Sequence, residues 1–86
     1  MIVNTITFQR YKIEVVDQEL RWCPVNKDIF LPENKLWCSS EIVSLFPYQD
    51  QLYISTLNGC LYRIGIPLMG NLFLEPHEIV RSKDNT

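Results

Sequence analysis

Residues 51–66, "QLYISTLNGCLYRIGI", constrain the fold more than any other stretch of this chain. Asn58-Gly59 stands between two runs rich in Leu, Ile and Tyr. A two-residue type I′ turn needs positive φ at both central positions, which Asn and Gly adopt at low cost. The dipeptide predicts an antiparallel hairpin in which Leu57 faces Cys60, Ser55 faces Tyr62 and Tyr53 faces Ile64. "EIVSLF" predicts a third strand at 41–46, joined through "PYQD". The preceding "SSE" offers a competing cap for one helical turn ending at Pro47.

The N-terminal third points the same way. Ile2, Ile6 and Phe8 are even-numbered, whereas Tyr11, Ile13 and Val15 are odd. Because strand side chains alternate faces strictly, that change of register marks a turn or bulge near Gln9-Arg10, between strands at 3–8 and 11–16. Asp17-Gln18 signals another turn, and "ELRWC" then runs extended to Pro24, which has no amide proton to give to a ladder. "PVNKD" reads as a loop, "IFL" as a short apolar run closed by the turn "LPEN", and "KLWC" and "NLFL" as further short strands. "EPHEIVRSKDNT" carries at most one helical turn starting near Pro76.

These elements predict a mainly β fold: an antiparallel meander curled into a small barrel or sandwich. With 86 residues the chain supports one domain, expected over 1–80 with a frayed tail at 81–86. Hydrophobic residues are 47% of the chain and charged residues 21%, enough apolar content for a packed core.

Residues 42–64, "IVSLFPYQDQLYISTLNGCLYRI", resemble one blade of a β-propeller, with a hydrophobic strand ahead of an "LY-x-ST-x-NG-x-LY" hairpin. The pattern occurs once. What the resemblance implies is the meander geometry of these strands, and no activity is carried over with it.

Parity divides that meander into two faces. One carries Val43, Leu45, Leu52, Ile54, Thr56, Leu61 and Arg63; being mostly aliphatic, it is the expected core face. The other carries Ile42, Ser44, Phe46, Tyr53, Ser55, Leu57, Cys60, Tyr62 and Ile64, and its mixture of aromatics and hydroxyls suits adaptable contact. In a domain this small the N-terminal strands are expected to cover that second face; left free, it is a binding surface centred on Phe46, Tyr53 and Tyr62.

The two Trp-Cys dipeptides, Trp22-Cys23 and Trp37-Cys38, look like a repeat but differ in parity. Trp22 shares a face with Leu20 and Cys38 with Leu36, so both should point inward. Cys23 lies with Glu19 and Arg21, and Trp37 with Lys35, so these should point outward. Trp37 with Lys35 is therefore a second candidate contact site, tryptophan being the residue most enriched at binding hot spots.

Chemistry is sparse by comparison. Three cysteines are an odd number for a disulfide framework, and the intervals between Cys23, Cys38, Cys60 and His77 (14, 21 and 16 intervening residues) lack the close knuckles of structural zinc sites. His77 is the sole histidine, no orienting constellation for catalysis is readable around it, and three scattered glycines make no phosphate loop. No cofactor, metal or catalytic residue is expected. Eight Lys and Arg against ten Asp and Glu give a net charge of −2 with the signs mixed. A nucleic-acid stacking face of Phe46, Tyr53 and Tyr62 would then lack the positive groove that usually accompanies such platforms. "MIVNTITF" has no positive leader region, and no apolar run approaches the ~20 residues of a membrane span, so a cytoplasmic protein without a membrane partner is expected. The function expected by elimination is a regulatory or inhibitory protein-interaction module that occludes a partner surface, such as that of a nucleic-acid-processing enzyme. Single-strand nucleic-acid binding is the alternative, and an exposed edge strand leaves homodimerisation open.

Overall fold

The computed structural model describes residues 3–77, with side chains from Asn4 onward. Eight strands follow in order: β1 (Val3–Phe8), β2 (Tyr11–Val16), β3 (Glu19–Pro24), β4 (Lys35–Trp37), β5 (Ile42–Tyr48), β6 (Gln51–Thr56), β7 (Leu61–Gly65) and β8 (Phe73–Pro76). They form two four-stranded antiparallel meanders, β1-β2-β3-β4 and β5-β6-β7-β8. The blade-like meander legible at 42–64 thus occurs twice in the topology although its sequence pattern occurs once.

Three of the hairpins turn through two residues. Phe8 pairs with Tyr11 across Gln9-Arg10, Val16 with Glu19 across Asp17-Gln18, and Tyr48 with Gln51 across Gln49-Asp50. Gln49 and Asp50 both have positive φ (49° and 64°), the requirement of a type I′ turn, which twists in the same sense as the strands it joins. Strand formation over Ile42–Tyr48 displaces the helical turn that "SSE" offered. "IFL" at 29–31 forms no strand. Pro76 ends β8, and most of the segment expected to turn helical, with the tail at 81–86, lies outside the described residues.

The Asn58-Gly59 hairpin forms with a different loop from the one its sequence suggests. The Gly59 amide donates to the Thr56 carbonyl (3.0 Å), the Thr56 amide donates to the Cys60 carbonyl (3.0 Å), and Gly59 alone has positive φ, 91°. The loop therefore has three residues, Leu57 to Gly59, in the turn-plus-left-handed-glycine arrangement. That one added residue shifts the register: Ser55 pairs with Leu61, Ile54 with Tyr62, Tyr53 with Arg63 and Leu52 with Ile64. Since a slip of one residue moves a whole strand to the opposite face, Tyr62 and Ile64 turn into the core and Leu61 and Arg63 turn out, the reverse of the parity expected for β7.

A second correction lies in β5. Ile42 pairs with Thr56 and Ser44 with Ser55, so Val43 is the extra residue of a β-bulge. Ile42 is consequently buried, whereas Val43, expected in the core, is 47% exposed.

The two sheets stack on a single core of Ile13, Val15, Leu20, Trp22 and Cys38 from the N-terminal half and Ile42, Leu52, Ile54, Ile64 and Leu72 from the C-terminal half. The crossover from β4 to β5 fixes their contact. The Cys38 and Ile42 amides donate to the Gln18 and Asp17 carbonyls (2.8 and 2.7 Å), so the tip of the β2–β3 hairpin is held by the strand connection. The N-terminal sheet covers the aliphatic face of Leu52 and Ile54 and leaves the face of Phe46 and Tyr53 uncovered, against the expectation that it would close over the aromatics.

Candidate functional site

With one face of each sheet in the shared core, two faces remain, pointing away from each other. The expected contact residues are divided between them. Trp37 and Lys35 stand on the free face of the first sheet, Phe46 and Tyr53 on that of the second, and Tyr62 on neither, because the β7 register packs it against the core beside Ile54.

On the first sheet, Trp37 pairs across strands with Glu19, and Lys35 with Arg21. Trp37 is 67% exposed although it belongs to a strand, while Trp22, on the opposite face of the adjacent strand, is 3% exposed. Val16, Asp17, Glu19, Arg21 and Trp37 line a groove of about 250 Å³. The Arg21 guanidinium binds the Glu14 carboxylate, lies 3.7 Å from a Glu19 oxygen and stacks at 5.4 Å over the Phe30 ring, while its Nε is buried without a hydrogen-bond partner. With Asp17 and Glu19 against Arg21, the lining carries one net negative charge, set beside an aromatic face that itself favours cations.

The loop between β3 and β4 lies across the rest of this face. Asp28 pairs with Lys12, Phe30 meets Arg21, and the Val25 amide donates to the Arg10 carbonyl (3.0 Å). Lys12 is the direct cross-strand neighbour of Cys23. Cys23 faces outward by parity, yet it is fully buried, beside the Lys12 that this loop reaches through Asp28. Hydrogen bonding to Asp28, followed by the attraction of its charge, holds the Lys12 ammonium above the usual lysine range.

On the second sheet the rings of Phe46 and Tyr53 stack at 5.7 Å, Tyr48 tilts against Tyr53 at 6.4 Å, and His77 meets Tyr53 edge-on at 5.2 Å. These neighbours leave Tyr53 only 8% exposed. Arg63, expected on the far side, shares this face, where it binds Glu75 and donates to Gln51 Oε1 (3.1 Å). Phe73 lays its ring over Gly65, where any β-carbon would collide with it.

The thiols differ in access. Cys23 and Cys38 are buried and Cys60 is exposed, all unbridged. Burial raises the Cys38 thiol above its ordinary value, and Tyr62 is raised chiefly by a hydrogen bond to Cys60. Among the described residues no three His, Cys, Asp or Glu side chains gather as a metal site, and no helix is long and apolar enough to cross a membrane.

The groove residues Val16, Asp17, Glu19 and Arg21 were absent from the sequence reading of the site. The signal for them was available, because a two-residue turn at Asp17-Gln18 puts Val16 opposite Glu19, and β3–β4 pairing then brings Trp37 beside both. Compared with family models, curated proteins and solved structures, the chain matches none.

Proposed function

We propose that this protein is a small non-enzymatic interaction module, regulatory or inhibitory in role, that binds a protein partner through Trp37 and the groove beside it. The observation that carries this reading is Trp37 itself: a tryptophan two-thirds exposed on a sheet face, bordering a groove with two carboxylates. Burying such a ring against a partner yields the large contact energies typical of hot spots. The negative lining suits a cationic side chain from that partner, with Lys35 at the rim setting its orientation. A partner with a basic surface, such as a nucleic-acid-processing enzyme, has the complementary chemistry.

The test uses the chain's own fluorescence. Trp22 is buried and Trp37 exposed, so partner binding should shield Trp37 from acrylamide and shift emission to shorter wavelength. A Trp37→Ala variant should lose the partner while keeping the fold; retention of the partner at unchanged affinity would refute the reading. The competing use of the Phe46–Tyr53 face, stacking of single-stranded bases, has lost Tyr62 from its platform, and Arg63, the one Lys or Arg on that face among the described residues, is engaged by Glu75. Titration with labelled RNA and DNA at low salt, the condition most favourable to such binding, decides against it if no complex forms.

A further inference from the structure

Asn58 alone among the chain's asparagines is followed by glycine. The pairing carries chemistry of its own. An asparagine side-chain amide is an electrophile within one bond rotation of the next residue's backbone nitrogen, and a following glycine, with no β-carbon, lets that nitrogen approach at the least steric cost. Both residues are exposed in the three-residue β6–β7 loop, where water can carry a proton and receive a leaving group.

One residue engages both reacting groups. The Gly59 N–H, whose nitrogen is the nucleophile, donates to the Thr56 carbonyl (3.0 Å), and the Asn58 side-chain carbonyl, the electrophile, accepts from the Thr56 hydroxyl (2.5 Å). Ring closure needs the nitrogen to give up its proton and the side chain to swing toward it, so both bonds stand against it. Thr56 is itself well anchored: it is 5% exposed, and its hydroxyl accepts from the Cys60 amide (3.2 Å). Two further bonds tie the loop to the β4–β5 crossover, from the Asn58 amide to Ser40 Oγ (3.2 Å) and from the Leu57 amide to the Glu41 carbonyl (2.8 Å). The holding residue is thus part of the core, while the reactive pair lies in an exposed loop, where local opening costs least.

We propose that Asn58-Gly59 is a self-modification site latched by Thr56, converting to aspartate and isoaspartate when the loop opens. The Gly59 nitrogen bonds to Asn58 Cγ, the Cγ–Nδ2 bond breaks, and the amide proton, passed through water, leaves with Nδ2 as ammonia; the product is a cyclic imide. Water then opens the imide at either carbonyl, giving an aspartate at position 58 or an isoaspartate whose β-carbon has joined the backbone. Either product adds a negative charge. Isoaspartate also lengthens a loop whose three-residue span sets the register of β7 and so turns Tyr62 and Ile64 toward the core. Because the chemistry is slow beside loop opening, its rate follows the population of the open loop.

The full chain is incubated at neutral to mildly alkaline pH, folded and in urea, and isoaspartate is located by peptide mapping with enzymatic methylation of isoaspartyl groups. Asn58 should convert before any other asparagine, and more slowly by about tenfold or more when folded, since the closed loop must open first. Thr56→Val, which keeps the side chain's shape and removes the hydroxyl, should raise the folded rate several-fold and leave the rate in urea unchanged, with Thr56→Ser close to the parent. Should Thr56→Val unfold, Ser40→Ala, which frees the Asn58 amide, supplies the reading by the same comparison. A folded rate equal to the unfolded one, a folded rate unchanged by Thr56→Val (or by Ser40→Ala where Thr56→Val unfolds), or another asparagine converting first would each overturn the proposal.

Discussion

Ile13 and Tyr53 occupy equivalent positions in the two meanders, each the third residue after a two-residue turn, and they face in opposite directions relative to the core. Ile13 is sealed between the sheets, while Tyr53 turns away from them and, among the described residues, is met by the rings of Phe46, Tyr48 and His77. The inequivalence of the two halves gives the protein two unlike surfaces, a polar grooved one around Trp37 and an aromatic one around Phe46.

The two tryptophans should separate cleanly on mutation. Trp22→Ala opens a large cavity in the shared core and is expected to cost about 3 to 5 kcal/mol. Trp37→Ala removes an exposed ring and should change stability by no more than about 0.5 kcal/mol. Urea denaturation of both variants checks this, and a Trp37 variant as unstable as the Trp22 variant would place Trp37 in the fold's support.

One thiol should react readily in the native state and two slowly. Cys60 is exposed, whereas Cys23 and Cys38 are buried, and thiol reactivity follows access and thiolate fraction. Native labelling with a thiol reagent is expected to modify one site quickly and three in denaturant. In a Cys60→Ser background, Asp28→Ala should speed labelling of Cys23 and leave Cys38 slow, because the lost ion pair frees the loop from Lys12, the neighbour of Cys23; equal slowness at both would show that the loop is held by other contacts.

Gly59 sits at φ 91° in the β6–β7 loop. Ala strains there, and Gly59→Ala should destabilise the protein by about 1 kcal/mol or more. Gly65 is demanding for another reason, since a methyl group meets the Phe73 ring. Gly65→Ala should displace that ring, visible as a shift of the Phe73 aromatic resonances, while Gly59→Ala leaves them in place.

Stability should fall on the alkaline side. Cys38 is raised by burial, Tyr62 first by its hydrogen bond to Cys60, and Lys12 first by its hydrogen bond to Asp28. In each case the unfolded chain releases the proton at lower pH than the folded one, so the contribution is fully present below the ordinary value and is lost as pH rises through the folded one. The decline should begin above about pH 8.5, the ordinary thiol value, and continue above about pH 10, where tyrosine and lysine titrate. Urea midpoints measured from neutral to pH 11 should drop across this window, and Cys38→Ala should remove its first part; midpoints that hold level or rise contradict these assignments.

Much of the fold was legible in local patterns. The alternation change at Gln9-Arg10 and the weak turn at Asp17-Gln18 located the first two hairpins to the residue, because turn position is set by which residues leave the alternation. Trp22 inward and Trp37 outward followed from the neighbours of each residue in its strand. The aromatic face was read less well. Its third ring, Tyr62, depended on the loop after Thr56, and the bond pattern among Thr56, Gly59 and Cys60 made that loop three residues rather than two. Val43 was misplaced because a bulge leaves no mark on an otherwise regular run of apolar residues. The burial of Cys23 was missed because alternation within a strand carries no sign of the loop that reaches its neighbours Lys12 and Arg21 through Asp28 and Phe30.

By itself the sequence determined that the chain forms short strands joined by tight turns, and how residues divide into two sets in the strands without a bulge, since these depend on turn chemistry and a period of two. Side-chain chemistry pointed to Leu52, Ile54 and Trp22 as inward, but alternation did not determine what covers each set. Alternation is symmetric with respect to the two faces of a sheet, so the choice depends on what packs against each one. Only the stacking of one meander on the other, front to back, decided that the N-terminal sheet covers the face of Leu52 and Ile54 and not the aromatic one, that Tyr53 faces away from it, and that Trp37 stands beside a groove.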